Sequence, residues 1–335
     1  MHTFASRLRA GPSGVRIRPT GCERIALVTP DSRIYVVGSR TFVGSAIVRR
    51  LSDADFTNIV GRRDEPDVTS RDAVDRFFVR HQPEYVFITG STVGIAGQMR
   101  RAADLLLDNL LLASHVIPAA SQHGVRKLLY LAGSCVYPRN ARQPMQPSSL
   151  GTGPVEPASA TDATAKLAGI RLCDAFRQQY GAPFITAIAA DAYGPADDFS
   201  ADAQPAAALI RRMHEAKQAG APAVDVWGSG RPRRELIYID DLADACVFVM
   251  RYYDGADPIN LGTCISTSIA DLAVMIRDVV GYRGELRFDR SKPDGVPVKG
   301  LDSTPLHGMG WQPSWDLHRG LAETYESFAS LKSEV

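Results

Sequence analysis

An α/β chain is predicted: a Rossmann-type parallel sheet with a smaller C-terminal α/β substrate lobe. Three features predict it. A β-branched run closes on a glycine turn and leads into a helical pattern over residues 33–51. Apolar runs that suit buried strands then alternate with helical stretches to about residue 190. Such alternation implies parallel strands, because parallel neighbours need long crossovers and helices supply them. After Tyr193-Gly-Pro195 the texture changes to short elements separated by Gly/Pro stretches, such as Gly228-Ser-Gly-Arg-Pro232 and Lys292-Pro-Asp-Gly-Val-Pro297.

Taken in order, Arg33-Ile-Tyr-Val-Val-Gly38 reads as the first strand and Val43-Gly-Ser-Ala-Ile-Val-Arg-Arg-Leu51 as the first helix. Further strands are expected at Asn58-Ile-Val-Gly61, Tyr85-Val-Phe-Ile-Thr89, Lys127-Leu-Leu-Tyr-Leu-Ala132 and Phe184-Ile-Thr-Ala-Ile-Ala189. Helices are expected over residues 70–81, 101–123 and 162–180. The division that follows is a leader at 1–30, a Rossmann domain at 31–193 and a second lobe at 194–330, with some chain crossing between the lobes. A ligand cleft is expected at their junction.

With 335 residues, 45% of them hydrophobic, the chain can bury a large core. Its 38 basic and 37 acidic side chains nearly cancel, which argues against a nucleic-acid partner. No apolar run approaches the roughly 20 residues of a membrane span, so no membrane partner is expected. Five scattered cysteines without a CxxC pair read as reduced thiols in a cytoplasmic compartment, with neither a disulfide framework nor a metal site. The leader carries Arg7, Arg9, Arg16, Arg18 and Arg24 against a single acid, Glu23. It reads either as a disordered basic extension, an upstream start included, or as an organelle transit peptide.

The loop Gly38-Ser-Arg-Thr-Phe-Val-Gly44 sits where a dinucleotide's pyrophosphate would lie. Its first and last glycines, Gly38 and Gly44, are in place, but the middle position is Thr41, whose Cβ would crowd the pyrophosphate or shift the loop. Arg40 and Arg63 suit a ribose 2′-phosphate, so NADP(H) is expected rather than NAD(H). The competing reading pairs these arginines with Asp64 and Glu65 at the surface.

Several blocks then identify a family. Val43-Gly-Ser-Ala-Ile-Val-Arg-Arg-Leu51, Ser134-Cys-Val-Tyr-Pro138, Ala208-Leu-Ile-Arg-Arg-Met-His-Glu-Ala216 and Val226-Trp-Gly-Ser-Gly-Arg-Pro-Arg-Arg-Glu235 resemble the GDP-L-fucose synthase family of extended short-chain dehydrogenase/reductases. Asp240-Asp-Leu-Ala-Asp-Ala245 and Ser291-Lys-Pro-Asp-Gly295 carry the likeness into the second lobe, in family order, from about residue 33 to 328. The resemblance implies a dimer, either a homodimer or a heterodimer with an active relative. It implies NADP(H) in the first lobe, held through Gly38, Arg40, Val43, Gly44, Arg63, Ser134 and Lys166. It implies a GDP-sugar in the second, contacted by Arg212, Trp227, Arg234 and Lys299. Guanidinium forks and an ammonium suit a diphosphate, and an indole suits ring packing. The plainer reading makes Trp227 a core residue and the cations surface charges.

The family reaction epimerises GDP-4-keto-6-deoxy-mannose at C3 and C5 and reduces it at C4. Reduction employs a Tyr four residues before a Lys, with a Ser across the cleft. Here Lys166 is present, Asp162 stands at the Tyr position and Gly133 at the Ser position. The epimerising Cys is Cys135, and its His partner is replaced by Gln204. Asp191 stands where the family has Asn. An Asp162 carboxylate stops short of where a phenol reaches and accepts hydrogen bonds without donating them. Its competing reading is an i,i+4 ion pair with Lys166. Two functions follow: an altered nucleotide-sugar epimerase or reductase in which Cys135, Lys166 and Asp162 are the catalytic candidates, or a non-catalytic NADP- and GDP-sugar-binding subunit.

Overall fold

The computed structural model describes residues 28–90, 101–200 and 203–333; the leader expected at 1–30 thus lies almost wholly outside the described residues. Its main sheet is all parallel and six-stranded. The strands are β1 (Ile34–Val37), β2 (Ile59–Val60), β3 (Tyr85–Ile88), β4 (Lys127–Gly133), β5 (Phe184–Ala189) and β9 (Ile259–Leu261). They run in the order β2-β1-β3-β4-β5-β9, so a strand from the C-terminal half completes the sheet. All residues of β1, β3 and β5 are buried, as expected where helices cover both faces.

Helices α1 (Phe42–Asp53) and α6 (Ile239–Tyr252) pack together on one face. On the other, α2 (Arg71–His81), α3 (Ala102–Gln122) and α4 (Ala160–Tyr180) pack in succession, as right-handed crossovers from the order of the strands require. Helices α1 to α4 lie within two residues of the bounds expected from the apolar patterns, since burial follows the 3.6-residue period. One expectation needs correction. Helix α3, with 21 residues and a mean hydropathy of 1.3, is long and apolar enough to cross a membrane. Its Leu105, Leu112, Val116 and Ile117 are buried where it packs on α2 and α4.

The second half adds α5 (Pro205–Gln218), α7 (Ile269–Val280), α8 (Thr304–Gly308) and α9 (Leu317–Ser333). A smaller sheet runs β10 (Ser266–Ser268), β8 (Arg233–Tyr238) and β12 (Val298–Lys299), with β6 (Asp191–Tyr193) also paired to β8. Strands β7 (Ala223–Trp227) and β11 (Glu285–Asp289) form a separate parallel pair. Buried Glu235 of β8 ties these pieces together, its carboxylate accepting the amides of Thr263 and Leu301 at 2.6 Å and of Cys264 at 2.9 Å. In the main sheet the chain reverses direction at β1, between β2 and β3. The carboxyl ends of strands at such a reversal form the ligand crevice of open α/β sheets.

Candidate functional site

The glycine loop fits a pyrophosphate in backbone terms. Gly38 has φ of +77°, the left-handed region, and a Cβ on Gly44 would lie 1.9 Å from the Gly38 carbonyl oxygen. Both glycines are therefore required by the turn itself. Thr41 does not splay the loop; it caps α1. Its hydroxyl donates to the Gly38 carbonyl at 2.8 Å and accepts the Gly44 amide at 3.2 Å. Among the described residues, the amides of Phe42 and Val43 have no acceptor at the positive end of α1, a disposition suited to an anion.

The two acids beside the arginines have other partners. Asp64 meets His81 at 2.9 Å and Arg80 at 3.3 Å. Glu65 reaches back to the loop and accepts the Gly38 amide at 2.6 Å and the Ser39 hydroxyl at 3.2 Å. Among the described residues, Arg40, Arg62 and Arg63 make no ion pair; Arg40 only donates to the Arg62 carbonyl at 3.3 Å. Arg62 and Arg63 line an open cleft of about 480 Å³ with Ile59, Gly61 and Asp64, which leaves room for a phosphorylated ribose.

The catalytic candidates converge at the carboxyl end of β4. Lys166 Nζ lies 2.8 Å from Asp162 Oδ2, with the two side chains 4% and 7% exposed. The i,i+4 pair forms inside the protein. Cys135, on the turn after β4, points its Sγ at Asp162 Oδ2 from 3.4 Å and at the Gly133 carbonyl from 3.7 Å. Burial pushes the Cys135 thiol up to about 11; Lys166 opposes that shift and Asp162 adds to it. At neutral pH the sulfur is a thiol. Burial pulls the Lys166 ammonium down, but Asp162 and Cys135 outweigh it and its pKa is raised. Gly133 has extended backbone (φ −102°), and a Cβ there would sit 3.6 Å from Lys166 Nζ and 3.8 Å from Cys135 Sγ.

Beside this cluster, Ser134 Oγ donates to Asp191 Oδ1 at 3.2 Å, and Lys299 Nζ stands 3.9 Å from the same oxygen. Strand pairing explains the meeting, since β6 and β12 both align on β8, bringing Asp191 and Lys299 alongside. Arg234, adjacent in β8, is steadied by donating to the Val296 carbonyl at 2.7 Å. Burial lowers its pKa while Asp191, Glu156 and Asp294 raise it. Arg212 on α5 is held by the carbonyls of Ala208 and Asp225. Trp227 is not a core residue: it is 66% exposed, with Lys292 Nζ 5.7 Å from its ring centre. Gln204 is half-buried at the N-cap of α5 and makes no capping bond.

Residues 34–262 match the model of the NAD dependent epimerase/dehydratase family. The chain belongs to that family. Within it, the chain is similar to GDP-L-fucose synthase of Sinorhizobium fredii, 43% identical over 300 residues, 89% of this chain and 96% of that protein. It is 42% identical over 309 residues to GDP-L-fucose synthase 1 of Arabidopsis thaliana, 91% of this chain and 96% of that one. Among solved structures, a GDP-mannoheptose C4 reductase from Campylobacter jejuni with NADP bound superposes with a TM-score of 0.82 at 31% identity, covering 90% and 99% of the two chains. The resemblance read from the sequence blocks is borne out.

Sequence reasoning missed two acids of this family member's site. Glu65 figured only as a surface partner for arginine, and Glu235 only as the end of a matching block. The signal for Glu235 was a lone acid in an otherwise apolar strand ending, Glu235-Leu-Ile-Tyr238, where a buried charge must have partners.

Proposed function

We propose that the chain binds NADP(H) at the β1–α1 loop and a GDP-sugar against Arg234 and Lys299, and that reduction of a 4-keto sugar is lost or very slow. The observation that carries this reading is the buried Asp162–Lys166 pair. Gly38, Gly44 and the Phe42 and Val43 amides would hold the pyrophosphate, and Arg40 and Arg63 the 2′-phosphate. Bound NADPH supplies a hydride. The ketone oxygen that receives it becomes negative and needs a proton and a hydrogen-bond donor. Gly133 has no side chain to offer, and the Asp162 carboxylate already accepts from both Lys166 and Cys135. Loss of one oxyanion donor costs about 10²–10³ in rate and loss of a general acid about 10²–10⁴.

Proton exchange at C3 or C5 needs no hydride, and Cys135 would be the residue to carry it. Its thiol character at neutral pH and the non-titrating Gln204 favour the binding reading over an epimerase. The experiment incubates the protein with GDP-4-keto-6-deoxy-mannose and NADPH, following NADPH absorbance and solvent deuterium uptake. Binding of NADPH and GDP is measured in parallel by calorimetry, with NADPH preferred over NADH by more than about tenfold if one charge-assisted phosphate contact is made. Both ligands bound with neither signal supports a non-catalytic subunit. Deuterium uptake lost in Cys135→Ala supports an altered epimerase. Rapid NADPH oxidation removes the proposal.

We further propose dimerisation through α3, whose outward face carries Leu107, 56% exposed, and half-buried Leu106, Leu110 and Leu111. Sedimentation of Leu107→Glu alone and with an active relative tests it and separates a homodimer from a heterodimer.

A further inference from the structure

We propose that Thr41 sets how this chain grips its cofactor: the side chain fills part of the pyrophosphate turn, so the dinucleotide is held by its 2′-phosphate end and only weakly by its pyrophosphate. The inference rests on the reading that NADP(H) lies at the β1–α1 loop, and it names the residue that divides the binding between the two phosphate groups. Glycines in such a turn let the backbone approach a phosphate closely because they carry no side chain. Gly38 and Gly44 keep that property, but Thr41 enters the space they leave. A Cβ on Gly38 would meet Thr41 Cγ2 at 3.2 Å and Oγ1 at 3.4 Å, and one on Gly44 would meet the same Oγ1 at 3.1 Å.

Several donors of the turn are spent as well. The Gly44 amide goes to the Thr41 hydroxyl at 3.2 Å and the Gly38 amide to the Glu65 carboxylate at 2.6 Å. The Thr41 amide goes to the Gly38 carbonyl at 2.9 Å, and the Ser45 amide to the Thr41 carbonyl at 2.8 Å. At the head of α1 that leaves Phe42 and Val43. The Thr41 hydroxyl does not make up the loss. Its one proton goes to the Gly38 carbonyl at 2.8 Å, so it has only lone pairs to offer a phosphate. Thr89 Oγ1, 3.5 Å from it, donates its own proton to the Val37 carbonyl at 2.9 Å. The turn is thus capped from within, with one fewer amide for an anion.

The 2′-phosphate end is provided for in the opposite way. Arg40, next to Thr41 in the loop, and Arg62 and Arg63 make no ion pair among the described residues, because Asp64 turns to His81 and Arg80 and Glu65 turns to the glycine loop. Arg62 and Arg63 line the open cleft of about 480 Å³. Hydrogen bonds from guanidinium to phosphate are roughly twice as strong as neutral ones. Free guanidinium groups at one end, against a turn short of an amide at the other, place the grip on the 2′-phosphate.

The test separates the two ends by calorimetry on the full chain, with adenosine 2′-monophosphate as the probe of one and ADP-ribose as the probe of the other. In the parent protein adenosine 2′-monophosphate should bind more tightly than ADP-ribose. Thr41→Gly frees the Gly44 amide and clears the turn, so ADP-ribose and NADPH should each gain about tenfold, one charge-assisted hydrogen bond, while adenosine 2′-monophosphate stays unchanged. Thr41→Ala should also tighten ADP-ribose binding, yet lower the melting temperature of the ligand-free protein, because the helix cap is lost. Thr41→Ser keeps the hydroxyl and should behave as the parent. The parent comparison needs no variant, and Thr41→Ala carries the rest if Thr41→Gly fails to fold. ADP-ribose binding as tightly as adenosine 2′-monophosphate in the parent overturns the proposal. So does an ADP-ribose affinity that neither Thr41→Gly nor Thr41→Ala raises, or a gain shared equally by both probes. Absence of NADPH binding overturns the underlying reading too; NADPH binding that is indifferent to Thr41 overturns this inference alone.

Discussion

The Asp162 carboxylate and the Lys166 ammonium lie 2.8 Å apart, one helical turn from each other on α4, with both side chains all but withdrawn from water. At the surface an i,i+4 pair is worth a few tenths of a kcal/mol, but here each charge depends on the other for its solvation. Asp162→Ala should therefore destabilise the fold by about 3–5 kcal/mol, because a buried ammonium is left uncompensated. Asp162→Leu combined with Lys166→Met should recover most of that loss. Urea unfolding of the two variants checks both expectations; a single-variant loss below about 1 kcal/mol contradicts the buried pair.

Reductase chemistry should return when its donors do. Gly133 has ordinary extended backbone, and the atoms nearest a new Cβ are at contact distance rather than in collision, so Gly133→Ser fits without rearrangement. Together with Asp162→Tyr it should raise NADPH oxidation with GDP-4-keto-6-deoxy-mannose by at least about 10²-fold, the worth of one oxyanion donor. Either change alone should do much less, since the groups act as a unit.

Thiol chemistry at Cys135 should be slow at neutral pH and rise as pH climbs towards about 11, because burial, then Asp162, holds the proton on sulfur against the pull of Lys166. Iodoacetamide labelling followed by mass spectrometry measures this, with exposed Cys264 as the internal control. Asp162→Asn should bring the profile to lower pH. Folding stability has a matching sign. A thiol whose folded pKa exceeds its unfolded value contributes stability present below the unfolded value, lost as pH rises towards the folded one. The chain should thus weaken from about pH 9 upwards, where unfolded thiols ionise.

Glu235 should matter beyond its own strand. Its carboxylate holds three amides, one of them Leu301, two residues after Lys299. Glu235→Ala leaves those donors unsatisfied at about 1–3 kcal/mol each, and it should weaken GDP binding through displacement of Lys299. Glu235→Gln, which keeps an acceptor, should retain most of both properties. GDP-dependent thermal protection compares the three proteins.

Much of the fold was legible in the sequence alone. The runs at Tyr85-Val-Phe-Ile88 and Phe184-Ile-Thr-Ala-Ile-Ala189, the helices around them and the glycine turn at Gly38 are local patterns, set by backbone periodicity and by φ values only glycine adopts readily. The absence of a phenol at position 162 and of a hydroxyl at 133 is likewise a property of the sequence. Beyond the i,i+4 pair of Asp162 and Lys166, tertiary structure decided which charges met. Asp64 turned to Arg80 and His81, and Glu65 turned to the Gly38 amide, leaving Arg40 and Arg63 without an ion pair among the described residues; Trp227 stayed in solvent. Asp191 and Lys299, 108 positions apart, met because β6 and β12 both pair with β8. An ion pair forms wherever two charges are brought within a few ångströms, and its strength depends on how much water remains between and around them. Both quantities belong to the packed chain and have no local signature.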